Sequence, residues 1–515
     1  MNITILLENG AKTIPAVSGQ TVLDAIRAEV GLPIHAPCGG QGTCGKCTVY
    51  LVGAEGETDV LACRTEVQAD MVIRLPAAAP LTVQLSADEE DAPEVTSDEG
   101  LSGYGVACDI GTTTVVCHLM ELSTGRKLAT VGEGNAQRPY GGDVIARIKA
   151  SMEGRRPALT AAITGQLSRM IEALCRSAKV ELSEVNSMAI AANTTMLHLL
   201  TGLSPDGIGQ APFTTESLFG DEWDARNLGL PFDGTVYLLP AVSAYVGGDI
   251  TADLLAVGMN GDDKPTLMID VGTNGEMALG CGSRFTCCST AAGPAFEGAQ
   301  IHCGMTAAPG AISSVEYKDG QVVCSVIGGG EAVGLCGSGL IDAMAVMLML
   351  GAVDETGRMY DVDEDEDEIP EAALPYLFLL DDSPAFRLSD KVCVTQADVR
   401  KLQLGKGAIA AGVKVLMDTY GAKFEDIDSL LLAGGFGSFI RPESAARIGL
   451  IPAELLDVTR AVGNTAARGA ELALVSKAAR EKLADLQRDM KYYELSGLAA
   501  FNDAYMEAMM FPEED

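Results

Sequence analysis

Apolar and polar positions alternate over short stretches at the start of the chain. Ile3–Glu8 and Lys12–Val17 predict two strands, joined at the hairpin signal Asn9-Gly10. Thr21–Val30 changes to a helical period with Thr21 placed to cap it, and Thr48–Val52 and Met71–Leu75 return to strand patterning. Residues 1–80 thus predict one small sheet crossed by a helix. Residues 81–102 lose the pattern, turn acidic and predict a solvated linker. From Gly103 onward short apolar runs alternate with longer helical periods, the signature of an α/β architecture, through residues 103–260 and again through 261–515. The longest apolar run, Leu340 to Val353, contains Asp342 and is shorter than the ~18 residues a membrane span needs. The last segment, Lys477 to Met510, is helix-rich, and its Tyr492, Tyr493, Phe501 and Tyr505 predict docking onto the body.

Composition narrows the function classes. At ~150 residues per domain, 515 residues predict about three domains. Hydrophobic residues make up 47%, which excludes wholesale disorder. With 36 basic and 71 acidic residues the net charge is −35. That balance argues against nucleic acid and against an anionic membrane surface, both of which need clustered Lys and Arg. The N-terminal residues lack the pattern of a signal peptide, so a cytoplasmic protein is expected. In a reducing compartment the 14 cysteines are expected to serve as ligands and buried thiols rather than disulfides.

Four of them carry the clearest chemical signal. Cys38, Cys44 and Cys47 fall within ten residues, and Cys63 follows after fifteen more. Three close thiolates plus one distant one is the ligand pattern of a plant-type 2Fe–2S cluster, although the first gap holds five residues where the plant-type run has four. Glycines 39, 40, 42 and 45 suit a loop that must adopt positive φ and bring backbone N–H groups to sulfides. Zinc is the alternative, but zinc ribbons pair two C-x2-C knuckles and one is present. Gly40-Gln-Gly42-Thr-Cys-Gly45 spells a dinucleotide fingerprint, yet it sits among these cysteines instead of between a strand and a helix.

A second signal is duplicated. Asp109-Ile-Gly111-Thr112-Thr113-Thr114 follows an apolar run, and Asp270-Val-Gly272-Thr273-Asn274-Gly275 repeats the arrangement. Glycine lets backbone N–H groups approach an anion, while Thr and Asn add donors. A carboxylate cannot bind phosphate directly, so Asp109 and Asp270 are placed to hold Mg²⁺ through water. Downstream, the buried run Leu430–Ala433 enters Gly434-Gly435-Phe436-Gly437, which permits close approach of a flat ligand.

These residues resemble the acetate and sugar kinase, chaperone ATPase and actin superfamily. The resemblance implies two ribonuclease-H-like lobes closing on Mg·ATP, with the adenosine against Ala433–Gly437. It further implies connecting helices at Tyr245–Asp253 and Gly463–Gly469, with Asp249 orienting the attacking water or capping its helix. Asn193-Thr-Thr-Met196 is read as facing the cleft or capping a helix, and Gly337-Ser338-Gly339 as an anion site or a tight turn.

The module order resembles the reductive activators of corrinoid-dependent enzymes over nearly the whole chain. That likeness implies a β-grasp ferredoxin-like domain fused to the two-lobed ATPase, and ATP-driven reduction of a corrinoid from Co(II) to Co(I). The implied partners are a corrinoid protein of a methyltransferase or O-demethylase system and a low-potential electron donor, with a homodimer compatible. Plant-type clusters sit near about −400 mV and Co(I) is a stronger reductant, so the transfer runs uphill. An acidic tether of this length spans roughly 25 Å, enough for the cluster domain to swing. Two other readings stay open: an activator of another low-potential enzyme, and a redox-sensing protein with nucleotide-dependent binding.

Overall fold

The computed structural model describes residues 1–7, 10–28, 34, 40, 42, 47–53, 56–76, 95–259, 264–365, 367–435 and 437–513. Cys38 and Cys44 lie outside the described residues, as do Gly39, Gly45 and Phe436.

The N-terminal sheet contains β1 (Asn2–Leu7), β2 (Gly10–Pro15), β3 (Thr48–Gly53), β4 (Gly56–Leu61) and β5 (Met71–Arg74), in the order β2-β1-β5-β3-β4. β1 and β5 run parallel at its centre, each flanked by an antiparallel neighbour. That is the β-grasp arrangement. The strand period places Ile3 and Ile5 in the core, while Thr4 faces out beside Thr13. α1 (Val22–Arg27) starts where the Thr21 hydroxyl accepts from the Asp24 amide, and it buries Val22, Leu23, Ala25 and Ile26 against the sheet.

The first ATPase-type lobe is a six-stranded sheet built from β6 (Tyr104–Ile110), β7 (Thr114–Glu121), β8 (Arg126–Gly134), β9 (Val185–Ala192), β10 (Glu222–Asp224) and β11 (Thr235–Leu238). Its order is β10-β11-β9-β6-β7-β8, so the strand leading into the first D-x-G-T turn is central. The helices of this region are α2 (Val144–Ala150), α3 (Arg156–Ala178), α4 (Thr194–Thr201) and α5 (Gly248–Val257). α3 lays Ile163, Leu167, Met170, Ile171 and Leu174 across one face.

The second lobe repeats the plan. Its main strands are β12 (Thr266–Val271), β13 (Gly275–Cys281) and β14 (Arg284–Thr290). An inserted region follows, made of β15 (Ala311–Lys318), β16 (Gln321–Val326), β17 (Gly334–Leu335), α6 (Gly337–Met349), β18 (Leu377–Leu380), β19 (Ser383–Arg387) and β20 (Cys393–Thr395). The chain returns through α7 (Gln396–Tyr420), β21 (Ser429–Ala433), α8 (Pro442–Arg447) and β22 (Thr459–Gly463), then α9 (Thr465–Val475), α10 (Lys477–Asp489), β23 (Lys491–Tyr492) and α11 (Ala499–Ala508). The sheet order is β22-β21-β12-β13-β14-β23, with β12 central, antiparallel to β13 and parallel to β21, as β6 is to β7 and β9. α7 covers one face with Ile409, Val413 and Leu416. α5 and α9 fill the space between the lobes: Ala252, Ala466, Ala470 and Ala473 pack on the first sheet, Ile250 and Leu254 on the second. Gly469 lies so close to the Ala252 backbone that a Cβ there would run into it.

Several expectations are refined. β4 went unpredicted because its Glu57, Thr58 and Asp59 face solvent and give no apolar period. Residues 81–94 of the acidic tether lie outside the described residues, and its last part, 95–102, is anchored to the body. Val95 and Leu101 pack against the α9 side of the first sheet, and Asp98 Oδ2 accepts from the Lys477 amide at 2.6 Å. The cluster domain also touches the first lobe: the Tyr140 hydroxyl donates to the Arg27 carbonyl at 2.9 Å, and Arg155 pairs with Asp24 at 3.0 Å. The apolar run at 340–353 forms α6, buried on every side, where Asp342 accepts from the Val315 amide and from Arg441 Nε. Among the described residues no helix is long and apolar enough to cross a membrane. The C-terminal aromatics dock as expected, with Tyr492 on the sheet edge and Phe501 against the second-lobe core.

Candidate functional site

The two D-x-G-T turns face each other, and a residue absent from both motifs joins them. Glu297 closes a short helical turn, Pro294–Glu297, after β14. One of its carboxylate oxygens accepts from the Thr113 hydroxyl and the other from the Thr273 hydroxyl. The same loop is tied back at its start, where the Gly293 amide donates to the Thr273 carbonyl at 2.9 Å. Arg138 and Arg147 lie close enough to feel the Glu297 charge, and burial lowers Arg147 to about 9. Arg147 donates to the Thr112 carbonyl and, at 3.0 Å, to the Gly141 carbonyl.

Two capping asparagines hold the first turn. Asn193 accepts from the Met196 amide to start α4, and its amide group donates to Thr112 Oγ1 at 3.1 Å. Asn464 accepts from the Ala467 amide to start α9 and donates to Asp109 Oδ2 at 3.0 Å. Each asparagine therefore caps a helix and positions a loop, so the capping reading of Asn193 holds. Asn135 donates to the Gly111 carbonyl at 2.8 Å.

The carboxylates converge. Asp109, Asp249 and Asp270 are close enough for their charges to couple, and Asp253 and Glu276 join them. Burial pushes Asp109 up to about 7, against the pull of the Asn464 hydrogen bond. Burial and then the Asp249 and Asp109 charges raise Asp270, while burial raises Asp249 against the backbone N–H groups that turn toward it. Burial followed by the Asp270 charge drives Asp253 well above the carboxylate range. Asp253 accepts from the Thr465 hydroxyl at 2.6 Å through Oδ1, while its buried Oδ2 has no hydrogen-bond partner. Buried carboxyls at this density are neutralised by protons or by a bound cation, and an oxygen-rich set of this kind could hold a hard divalent ion.

The glycines of the turns also have steric reasons to be small. Neither Gly111 nor Gly272 adopts a positive φ. Gly111 is small because a Cβ would sit 2.9 Å from the Thr114 carbonyl, and Gly275 because a Cβ would press on Ile409 and the Thr290 hydroxyl. Gly434 has φ +90°, and a side chain there would collide with Asp270. It makes room for that carboxylate, whereas Gly435 borders open space. A Cβ on Gly437 would press on the Leu432 carbonyl. Gly337 accommodates the Phe296 carbonyl and the Ser338 hydroxyl donates to the Ser313 carbonyl, so this turn packs beneath the Glu297 loop.

At the cluster loop, Cys47 is buried and the carbonyl of Cys47 accepts from the Ala62 amide at 2.9 Å, which brings Cys63 alongside. Gly40 and Gly42 have φ +97° and +75°, as a loop wrapped around sulfides requires. Arg64 donates to the Gly42 carbonyl at 2.8 Å.

Residues 6–68 match the 2Fe-2S iron-sulfur cluster binding domain, 104–262 the RACo middle region, and 264–515 the C-terminal domain of RACo, the ASKHA domain. The chain is 31% identical to the corrinoid activation enzyme RamQ of Eubacterium limosum over 96% of its own length and 97% of RamQ. The chain belongs to the corrinoid reductive activators. The [Co(II) methylated amine-specific corrinoid protein] reductase of Methanosarcina barkeri is 26% identical over 78% of this chain and 76% of that one. A solved reductive activator for corrinoid, iron-sulfur protein matches the whole activator fold, with a TM-score of 0.72 at 29% identity, covering 100% of this chain and 99% of that one. The activator therefore carries a 2Fe–2S domain ahead of an ASKHA ATPase domain. Glu297 and Asn464 contact its two D-x-G-T turns, and Asp253 joins their carboxylates. Asn464 and Asp253 lie within motifs that the sequence marks, but Glu297 ends a single short helical turn, too brief to leave a periodic signal.

Proposed function

We propose that this chain performs ATP-dependent, one-electron reductive activation of a partner corrinoid protein, taking its cobalt from Co(II) to Co(I) and so restoring methyl transfer. The observation that carries the reading is a cluster domain contacting a lobe whose phosphate loop is joined to its duplicate through Glu297. The named activities of RamQ and the corrinoid reductase support it.

Cys38, Cys44, Cys47 and Cys63 would hold the 2Fe–2S cluster, which supplies one-electron carriage when bound. The donor is a low-potential reductant, and the acceptor is the corrinoid of a methyltransferase or O-demethylase system. Thr112, Thr113, Thr114, Thr273 and Asn274 supply donors for the phosphates, with Arg138 and Arg147 behind them. Asp109 and Asp270 would hold Mg²⁺ through water, and Asp249 orients the attacking water. Gly435 leaves open space beside the strand end for the adenosine. A phosphate that takes the Thr113 and Thr273 hydroxyls displaces Glu297, which frees the loop leading into the inserted region. ATP binding thus changes the link between the lobes, and this movement offsets an unfavourable electron transfer, for which each ~59 mV is a factor of ten.

The test is anaerobic absorbance spectroscopy of a corrinoid protein with reductant and this chain, with and without Mg·ATP. Formation of the Co(I) spectrum accelerated by ATP is expected. No acceleration with a corrinoid partner that RamQ activates under the same conditions would overturn the proposal.

A further inference from the structure

A second group of thiols lies outside the cluster loop and the phosphate loops. His302 and Cys303 sit in the segment that follows Glu297, and Cys393 opens β20. One donor atom from each of these three side chains lies within 4.8 Å of the other two, the one such grouping among the described residues. Bonds of about 2.3 Å to sulfur and 2.0–2.1 Å to nitrogen give a tetrahedral zinc site edges of about 3.5–3.8 Å, so modest closure would bring the three onto one ion.

Two observations show that the arrangement is braced. Buried Asp398 accepts from the His302 amide through one oxygen at 2.8 Å and from the Thr395 amide through the other at 3.0 Å. One carboxylate thus fixes both ligand-bearing segments, and outer-shell bracing of this kind orients metal ligands. The Cys303 carbonyl accepts from the Leu335 amide at 2.8 Å, which pins the loop from the other side. The Cys303 thiol donates its proton to the Lys391 carbonyl at 3.8 Å, two residues before Cys393 in the chain. A soft cation would take that proton's place. Two thiolates and a neutral imidazole would then balance a divalent charge.

We propose that His302, Cys303 and Cys393 form a zinc site, with a fourth position open to water because His302 is exposed. The ion would staple the segment carrying Glu297 to the start of α7, the helix that backs β13 and β14. Zinc occupancy would then restrict how far Glu297 can move from Thr113 and Thr273. The site is distinct from the cluster cysteines and does not depend on the identity of the corrinoid partner.

The experiment is metal analysis plus zinc-edge X-ray absorption on the full chain, purified anaerobically with its iron and dialysed against zinc at low concentration. About one zinc per chain is expected, bound by two sulfurs and one nitrogen with a light fourth ligand. His302→Ala, which alters an exposed side chain, and Cys393→Ser should each lose the zinc while iron content stays unchanged. Three results would overturn the proposal. They are no retained zinc, an all-sulfur zinc signal that persists in both variants and so reports the cluster cysteines, and a Cys303–Cys393 disulfide that binds nothing.

Discussion

Replacing Glu297 by alanine separates a competitor for phosphate from a binder of nucleotide. In the structure the carboxylate accepts one hydroxyl hydrogen bond from each lobe, from Thr113 and from Thr273. Hydrogen bonds to a charged group contribute about 1.5–3 kcal/mol each, and partial exposure of Glu297 places these at the lower end, roughly 3 kcal/mol for the pair. ATP must displace them to use the same hydroxyls, and it must also enter beside an anion. Removing the carboxylate leaves the hydroxyls to water, which recovers part of the cost. Glu297→Ala should therefore tighten ATP binding by about 1.4–3 kcal/mol, a factor of roughly 10 to 150. Glu297→Gln, which keeps an acceptor but loses the charge, should fall between the two. ATP-driven corrinoid reduction should nevertheless drop in both variants, because binding no longer moves the loop. Isothermal titration calorimetry under anaerobic conditions reads the affinity. Weaker ATP binding by a folded Glu297→Ala protein would refute the reasoning and make Glu297 part of the nucleotide's own binding shell.

The remaining predictions address the cluster, the cation, the hinge and acid stability. Cys47→Ser should lose cluster iron by metal analysis and visible absorbance while retaining ATP binding, since the cluster loop and the D-x-G-T turns share no residue. Asp270→Ala should keep the iron yet lower ATP-driven Co(I) formation by about 100-fold or more, the scale for removing a preorganised electrostatic group. Gly469→Val would force α5 and α9 apart at Ala252, costing about 1–3 kcal/mol in denaturant unfolding and loosening the lobe hinge. Buried Glu471 sits among His118, Lys127 and Arg468; burial alone would raise its carboxyl, but the His118 hydrogen bond and the neighbouring cations bring it from 4.5 to about 2. A lowered carboxyl stabilises the fold above its unfolded value and loses that contribution as pH falls toward 2. Glu471→Gln should therefore cost about 3 kcal/mol at neutral pH and show a flatter acid-unfolding profile between pH 5 and pH 2.

Spacing made the iron–sulfur domain and both D-x-G-T turns legible, because clustered cysteines and duplication leave regular marks in a chain. Strand and helix periods likewise exposed the β-grasp sheet and the alternating α/β lobes. Glu297 left no such mark: it ends one short helical turn, and its role depends on two turns 161 residues apart meeting in space. The glycines were readable by position, and packing adds reasons that no sequence pattern carries. Gly434 accommodates Asp270, and Gly111 relieves crowding by the Thr114 carbonyl. β4 stayed hidden because a solvent-facing edge hairpin needs no apolar face. Val95 and Leu101 were obscured by the acidic residues around them, although two apolar side chains suffice to anchor a short segment.

The central claim is that nucleotide-driven movement of the lobes and electron delivery from the N-terminal domain belong to one cycle. Stopped-flow mixing of the prereduced protein with a Co(II) corrinoid partner, monitoring cluster oxidation and Co(I) absorbance together, tests it most directly. With Mg·ATP the two signals should rise in step, and with Mg·ADP both should stall. Equal rates with either nucleotide would contradict the account.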